Sequence, residues 1–135
     1  MGTWGLGPFE NDGASDFIDE ASAAPAASVR AALQGLIKSR GYIDVDDGQA
    51  GLAACELVAL GLGYGKTAGL SKAVVRFAAA LGPRDDLREL ALQALPKIKE
   101  RKTSELAGLW HEGDDGKAFD ALLDDLESRL TAASE

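Results

Sequence analysis

The sequence has one cysteine and one histidine, Cys55 and His111, among its 135 residues. A single cysteine cannot form an internal disulfide, and a structural zinc site needs about four cysteine or histidine ligands. The chain has no apolar run of about 18 residues, which a membrane-spanning helix needs. Its first residues have neither the early basic side chains nor the apolar segment of a signal peptide. We therefore expect a cytoplasmic protein with no membrane span, no metal and no cofactor.

Basic side chains are scarce at both ends of the chain, which has a net charge of −8. Residues 1–27 carry five acidic and no basic side chains, and residues 103–135 carry nine acidic and two basic ones. The residues between them are net positive. Because a negative protein repels phosphate backbones, nucleic-acid binding is not expected. The charges suit solvated helix faces, and the acidic ends also suit fast association with a basic partner.

β-branched residues are few, whereas alanine and leucine are abundant, and this composition favours helix. No strand pattern and no internal repeat is visible, so we predict an all-α, single-domain bundle of six to seven helices. Pro96 should kink or split the fifth of them. The first three predicted helices run from Gly13 to before Pro25, from Pro25 to Gly41 and over about 48–62. The next two run from Ser71 to Leu81 and over about 85–102. A short sixth helix follows Thr103 or Ser104, and the last one runs from Asp114 or Asp115 to a frayed tail at 131–135.

The predicted third helix, 48–62, is apolar nearly all round, which is typical of a central, buried helix. Asp46 or Asp47 would cap it. Its one charged residue is Glu56, and a buried carboxylate must be paired, hydrogen-bonded or neutral. We favour a structural contact of Glu56 with an arginine, a tryptophan N–H or the backbone of the glycine-rich start of the chain. The alternative is an acid of raised pKa, or a group that faces a ligand.

Residues 1–12, MGTWGLGPFEND, form the stretch with the most specific residue choices. Its glycines allow close backbone approach, so Trp4 and Phe9 can lie against the third helix. Asn11 or Asp12 can cap the first helix. We interpret the stretch as a packed N-terminal plug and cap rather than a ligand loop, and we expect Trp4 to be buried with its indole near Glu56.

Other motifs fail on spacing or context. The glycine-rich stretch 61–67 is preceded by Leu60, where a phosphate loop needs its first glycine, and it follows a helix rather than a strand. The acidic stretch that begins at Asp44 has neither the glycine at the sixth position nor the glutamate at the twelfth position of a calcium loop. Asp12, Asp16 and Glu20 share one helix face, but capping and solvent exposure explain them better than a metal site. His111 has no nucleophile elbow to serve and is expected at the surface.

The opening Gly-Thr-Trp-Gly-x-Gly-Pro-Phe-Glu-Asn-Asp resembles the bacterial family called domain of unknown function 4259. Three further segments look like that family: Ala-Ala-x-Glu at 53–56, Ser-Glu-Leu-x-x-Leu-Trp at 104–110 and Asp-Leu-x-x-Arg-Leu at 125–130. Phe119 stands where the family would have tryptophan. The resemblance implies a small helical protein without an established activity. Its motifs single out Trp4, Phe9, Asn11, Asp12, Glu56, Glu105 and Trp110.

These observations favour a small non-enzymatic module that binds protein, similar to an immunity protein or antitoxin, with an acidic surface against a basic partner. One alternative is a small-molecule, metal-binding or enzymatic pocket built on Glu56 and the N-terminal segment. Such a pocket would contain Trp4 or Asn11. Another alternative is a structural module that forms homo-oligomers.

Overall fold

The computed structural model describes residues 7–133, and that part of the chain folds into seven helices without a strand. This confirms the predicted all-α bundle. No helix between residues 7 and 133 is long and apolar enough to cross a membrane. The helices are α1 (Asp12–Ala21), α2 (Pro25–Lys38), α3 (Val45–Gly61), α4 (Lys72–Leu81), α5 (Asp85–Lys99), α6 (Glu105–Glu112) and α7 (Gly116–Ala132).

The centre of the bundle is α3, which packs against each of the other six helices. Every residue from Gly51 to Ala59 is buried. Small side chains such as Ala53, Ala54 and Cys55 are fully enclosed and let the neighbouring helices approach closely. The apolar pattern of this segment thus correctly predicted the central helix, and one of its buried residues is Glu56.

Side-chain caps fix several helix starts. Asn11 Oδ1 accepts a hydrogen bond from the Ala14 N–H at 2.7 Å, which confirms the predicted cap of α1. The cap of α3 is Asp44, whose Oδ1 accepts from the Asp47 N–H at 2.9 Å. The prediction of Asp46 or Asp47 was wrong because both lie within the first turn, where acidic side chains favour the helix dipole.

Several helix bounds differ by a few residues from the sequence-based ones. Pro96 does not split α5, which continues to Lys99. The proline is exposed and near the end of a helix that packs against α2 and α3, so little pairing is lost and tertiary contacts maintain the helix. α7 continues to Ala132, so it includes the first two residues of the segment 131–135 that was expected to fray.

The loops before α3 and α6 pair with each other. The Ile43 N–H donates to the Thr103 carbonyl at 2.7 Å, and the Glu105 N–H donates to the Ile43 carbonyl at 2.9 Å. The Glu105 carboxylate in turn accepts from the Val45 N–H at 2.7 Å. Glu105 is therefore a second cap on the start of α3 and joins that helix to α6.

Aromatic packing joins α6 to α7. Phe119 is fully buried, and its ring stacks on Trp110 with 6.4 Å between the centroids. The ring of His111 meets Phe119 edge-on, and His111 Nε2 lies 3.0 Å from Asp120 Oδ1. His111 is half-buried rather than a surface histidine because α7 covers it. Trp110 and Phe119 thus serve the packing of the bundle.

The end of α3 makes a close backbone contact that only glycine permits. A Cβ atom at Gly61 would lie 2.5 Å from the carbonyl oxygen of Gly82. We expect Gly61→Ala to lower the free energy of unfolding by about 1–3 kcal/mol, since two backbones would have to separate. Gly35→Ala is the matched control in α2: its Cβ would meet nothing within 4 Å, and it should raise stability by up to about 1 kcal/mol. Urea unfolding measures both, and equal effects of the two substitutions would contradict the close contact.

Candidate functional site

The residues singled out by the sequence do not form one cluster. Phe9 and Glu56 border one pocket, and Asp16 borders a different groove. Asn11 and Glu105 are helix caps, and Trp110 packs on Phe119. Asp12 is an exposed residue in the first turn of α1. Trp4, with its predicted contact to the third helix, lies outside the described residues.

Glu56 and Arg129 form a bidentate ion pair between α3 and α7. Arg129 Nη1 donates to Glu56 Oε2 at 2.6 Å, and Nη2 donates to Oε1 at 2.7 Å. Arg129 Nε also donates to Asp125 Oδ2, and Nη1 to the Tyr64 carbonyl, each at 3.0 Å. The pKa of Arg129 is raised, mainly by its hydrogen bonds to Glu56, and burial opposes this rise. Of the expected partners of Glu56, the structure thus shows an arginine.

A pocket of about 430 Å³ lies over this ion pair, and we call it the ion-pair pocket. It brings together four separate segments of the chain: the end of the N-terminal stretch, α3, the loop after α3, and α7. Phe9 is partly buried against the core. Asn11 does not line the pocket, because its side chain is committed to the cap of α1. The lining residues are Pro8, Phe9, Glu56, Gly65, Lys66, Leu70, Asp125 and Arg129.

The ion-pair pocket contains charges but no hydroxyl, thiol or imidazole group among its described lining residues. Arg129 is occupied by its carboxylate partners, whereas Lys66 is exposed and makes no ion pair or hydrogen bond within residues 7–133. A lining of this kind can bind charged groups of either sign. Cys55 lies elsewhere in the core, and burial raises the pKa of its thiol, which keeps it unreactive.

A second concavity, of about 550 Å³, lies between α1, α2 and α3, and we call it the acidic groove. Four carboxylates border it, those of Asp16, Glu20, Asp46 and Asp47, and none of them forms an ion pair within the described chain. Burial raises the pKa of Asp47, and the charges of Asp44 and Asp46 add to this effect. The lining residues are Gly13, Asp16, Phe17, Glu20, Ala21, Ser28, Ala31, Ala32, Asp46, Asp47 and Ala50.

Sequence reasoning singled out two of the four carboxylates of the acidic groove but did not predict the groove. It placed Asp16 and Glu20 on one helix face, but it treated Asp46 and Asp47 only as caps. The groove exists because α1 packs beside the start of α3, and no local pattern encodes that contact. Between residues 7 and 133 no three histidine, cysteine, aspartate or glutamate side chains are placed to hold a metal ion.

The ion pair predicts a measurable loss of stability when one partner is removed. Glu56→Ala would leave Arg129 partly buried without its main acceptor. We expect the free energy of unfolding to fall by about 2–4 kcal/mol, below the full cost for a buried pair because 23% of the Arg129 side chain is exposed. Replacing both Glu56 and Arg129 with leucine should cost less than Glu56→Ala alone. The exposed partner gives the control: Asp125→Asn should cost under about 1 kcal/mol in the same urea titration. A Glu56→Ala effect no larger than this control would contradict the structural role of the pair.

Comparison with known proteins gives a family and no activity. The family model described as "Domain of unknown function (DUF4259)" matches residues 2–121. The match includes Glu56, Lys66 and the whole acidic groove, and it ends before Asp125 and Arg129. No curated protein and no solved structure matches the chain. Since the family model covers most of its length, the chain belongs to this family of domains of unknown function.

Proposed function

We propose that this protein is a non-enzymatic binding module, similar in role to an immunity protein or antitoxin, that holds a basic segment of a partner protein in the acidic groove. The observation that supports this role is the set of four carboxylates around one concave surface without a basic neighbour. Such a surface attracts positively charged groups and speeds their association.

Several acidic side chains elsewhere in the bundle, unlike those of the groove, have a basic partner. Asp86 forms ion pairs with Arg30 and Arg84, and Asp124 forms one with Lys99. The carboxylate of Asp120 contacts the ring of His111. The arginine and lysine contacts neutralise carboxylate charge within the fold, and the His111 contact does so only when the imidazole is protonated. In the acidic groove, by contrast, Asp47 has no basic partner, and its pKa is raised first by burial and then by the charges of Asp44 and Asp46. A cation from outside would relieve this repulsion.

The shape of the acidic groove suits long basic side chains. Four of its eleven lining residues are alanines, whose small side chains let a partner backbone come close. Phe17 is half-buried and offers an aromatic surface for the alkyl stem or the charged end of lysine or arginine. A volume of about 550 Å³ accommodates a few side chains rather than a whole domain. The partner segment is therefore a loop or helix end with at least two lysine or arginine residues.

Charge removal in the groove tests the proposal. A lysine-rich peptide serves as the probe, measured by fluorescence anisotropy at low and high salt. The variant Asp16→Asn/Glu20→Gln should weaken binding by about tenfold, because it removes half of the groove charges. The matched control is Glu112→Gln/Asp114→Asn, which removes two exposed charges outside the groove and should change affinity less than about twofold. Equal losses in the two variants would show attraction to net charge alone, and unchanged binding in the groove variant would overturn the proposal.

The pH dependence of the same binding follows from Asp47. Its raised pKa means that it takes up a proton at a higher pH than an ordinary aspartate. A bound cation favours the charged carboxylate, so protonation opposes binding. We expect the affinity for the peptide to fall as the pH is lowered towards the carboxylate range near about 4. Asp47→Asn should reduce this dependence, and an identical pH profile in that variant would exclude Asp47 from the contact.

A further inference from the structure

The ion-pair pocket is a second site, independent of the acidic groove. The two concavities share no lining residue. Three segments that the binding module proposal leaves without a role meet in the pocket: the end of the N-terminal stretch, the glycine-rich loop after α3, and the closing segment of α7. Its volume of about 430 Å³ lies in the range of small-molecule sites.

We propose that the ion-pair pocket binds a small zwitterion, namely a free amino acid with an apolar side chain. Four charged groups line the pocket, two cations and two carboxylates, so their charges cancel. A ligand with one charge of each sign matches such a lining better than a cation or an anion alone.

The ligand carboxylate is assigned to Lys66. Arg129 has little capacity left for it, since four of its five N–H groups already donate to Glu56, Asp125 and the Tyr64 carbonyl. The Lys66 ammonium has no hydrogen-bond acceptor within the described part of the chain. A phosphate dianion is a poor alternative, because the two carboxylates of the pocket would repel its second charge.

The ligand ammonium is assigned to Asp125. One oxygen of this carboxylate accepts from Arg129 Nε, and the other accepts no hydrogen bond within residues 7–133. The Asp125 side chain is 64% exposed, so an incoming amine can reach it. Ionised carboxylates have about four acceptor positions, and Glu56 therefore also keeps capacity beyond its two bonds to Arg129.

The apolar residues of the lining indicate which side chain the ligand carries. Pro8, Phe9 and Leu70 provide hydrocarbon surface beside the charged groups. An aliphatic or aromatic ligand side chain would lose water-exposed area against them. A second charge on the ligand side chain would have no partner on this surface.

Titration of ¹⁵N-labelled full-length protein with L-phenylalanine and L-leucine tests the assignment. We expect saturable shifts of the Gly65 and Lys66 amide signals. Phenethylamine, which lacks the carboxylate, and 3-phenylpropionate, which lacks the ammonium, should bind about tenfold more weakly than L-phenylalanine. The absence of saturable shifts with every probe, or equal binding of the three phenyl compounds, would overturn the proposal.

Substitutions locate the site. Lys66→Gln and Asp125→Asn should each weaken amino-acid binding about tenfold, whereas the control Lys72→Gln, at the start of α4 outside the pocket, should leave it unchanged. Unfolding midpoints close to that of the unmodified protein would show that each variant is folded. Asp16→Asn/Glu20→Gln should leave amino-acid binding intact, so the pocket and the groove can fail separately. Unchanged affinity in both pocket variants would reject the assignment.

Discussion

The ion pair of Glu56 and Arg129 is the interaction on which the arrangement of the bundle depends. Glu56 lies in the middle of the helix that contacts all the others, and only 8% of it is exposed. A carboxylate in that position must be compensated. Arg129 compensates it with two hydrogen bonds from the far end of the chain. The pair therefore sets the position of α7 along α3.

The same pair determines the chemistry of the pocket above it. Arg129 donates to Glu56, Asp125 and the Tyr64 carbonyl, so its positive charge is compensated. Its guanidinium therefore holds the floor of the pocket in place. Lys66 and the outer oxygen of Asp125 make no hydrogen bond within the described part of the chain. A buried ion pair is weak evidence for net stability, so its value to the protein lies as much in fixing this geometry as in stabilising the fold.

The sequence was sufficient for the number and order of the helices, because glycine, proline and capping residues separate the apolar stripes. It could not choose among three neighbouring aspartates as the cap of α3, since that choice depends on backbone geometry at Asp44. It predicted that Glu56 would be buried and gave three kinds of partner, one of which was an arginine. Arg129 itself was out of reach, because the contact spans 73 residues of chain. The acidic groove was missed for the same reason, since its walls come from helices that are separate in the sequence.

The two sites use different parts of α3, and the burial of that helix explains where they lie. Asp46 and Asp47 are exposed in its first turn, where charged side chains reach solvent and also favour the helix dipole. From Gly51 to Ala59 the helix is enclosed on all sides, so a charge is tolerated there only with a partner. Along α3, unpaired acids can therefore stand only in its first turn, and the charge in its buried middle is tolerated because Arg129 pairs with it. The groove and the pocket differ in charge because the groove borders the exposed start of α3, whereas the pocket borders its buried middle.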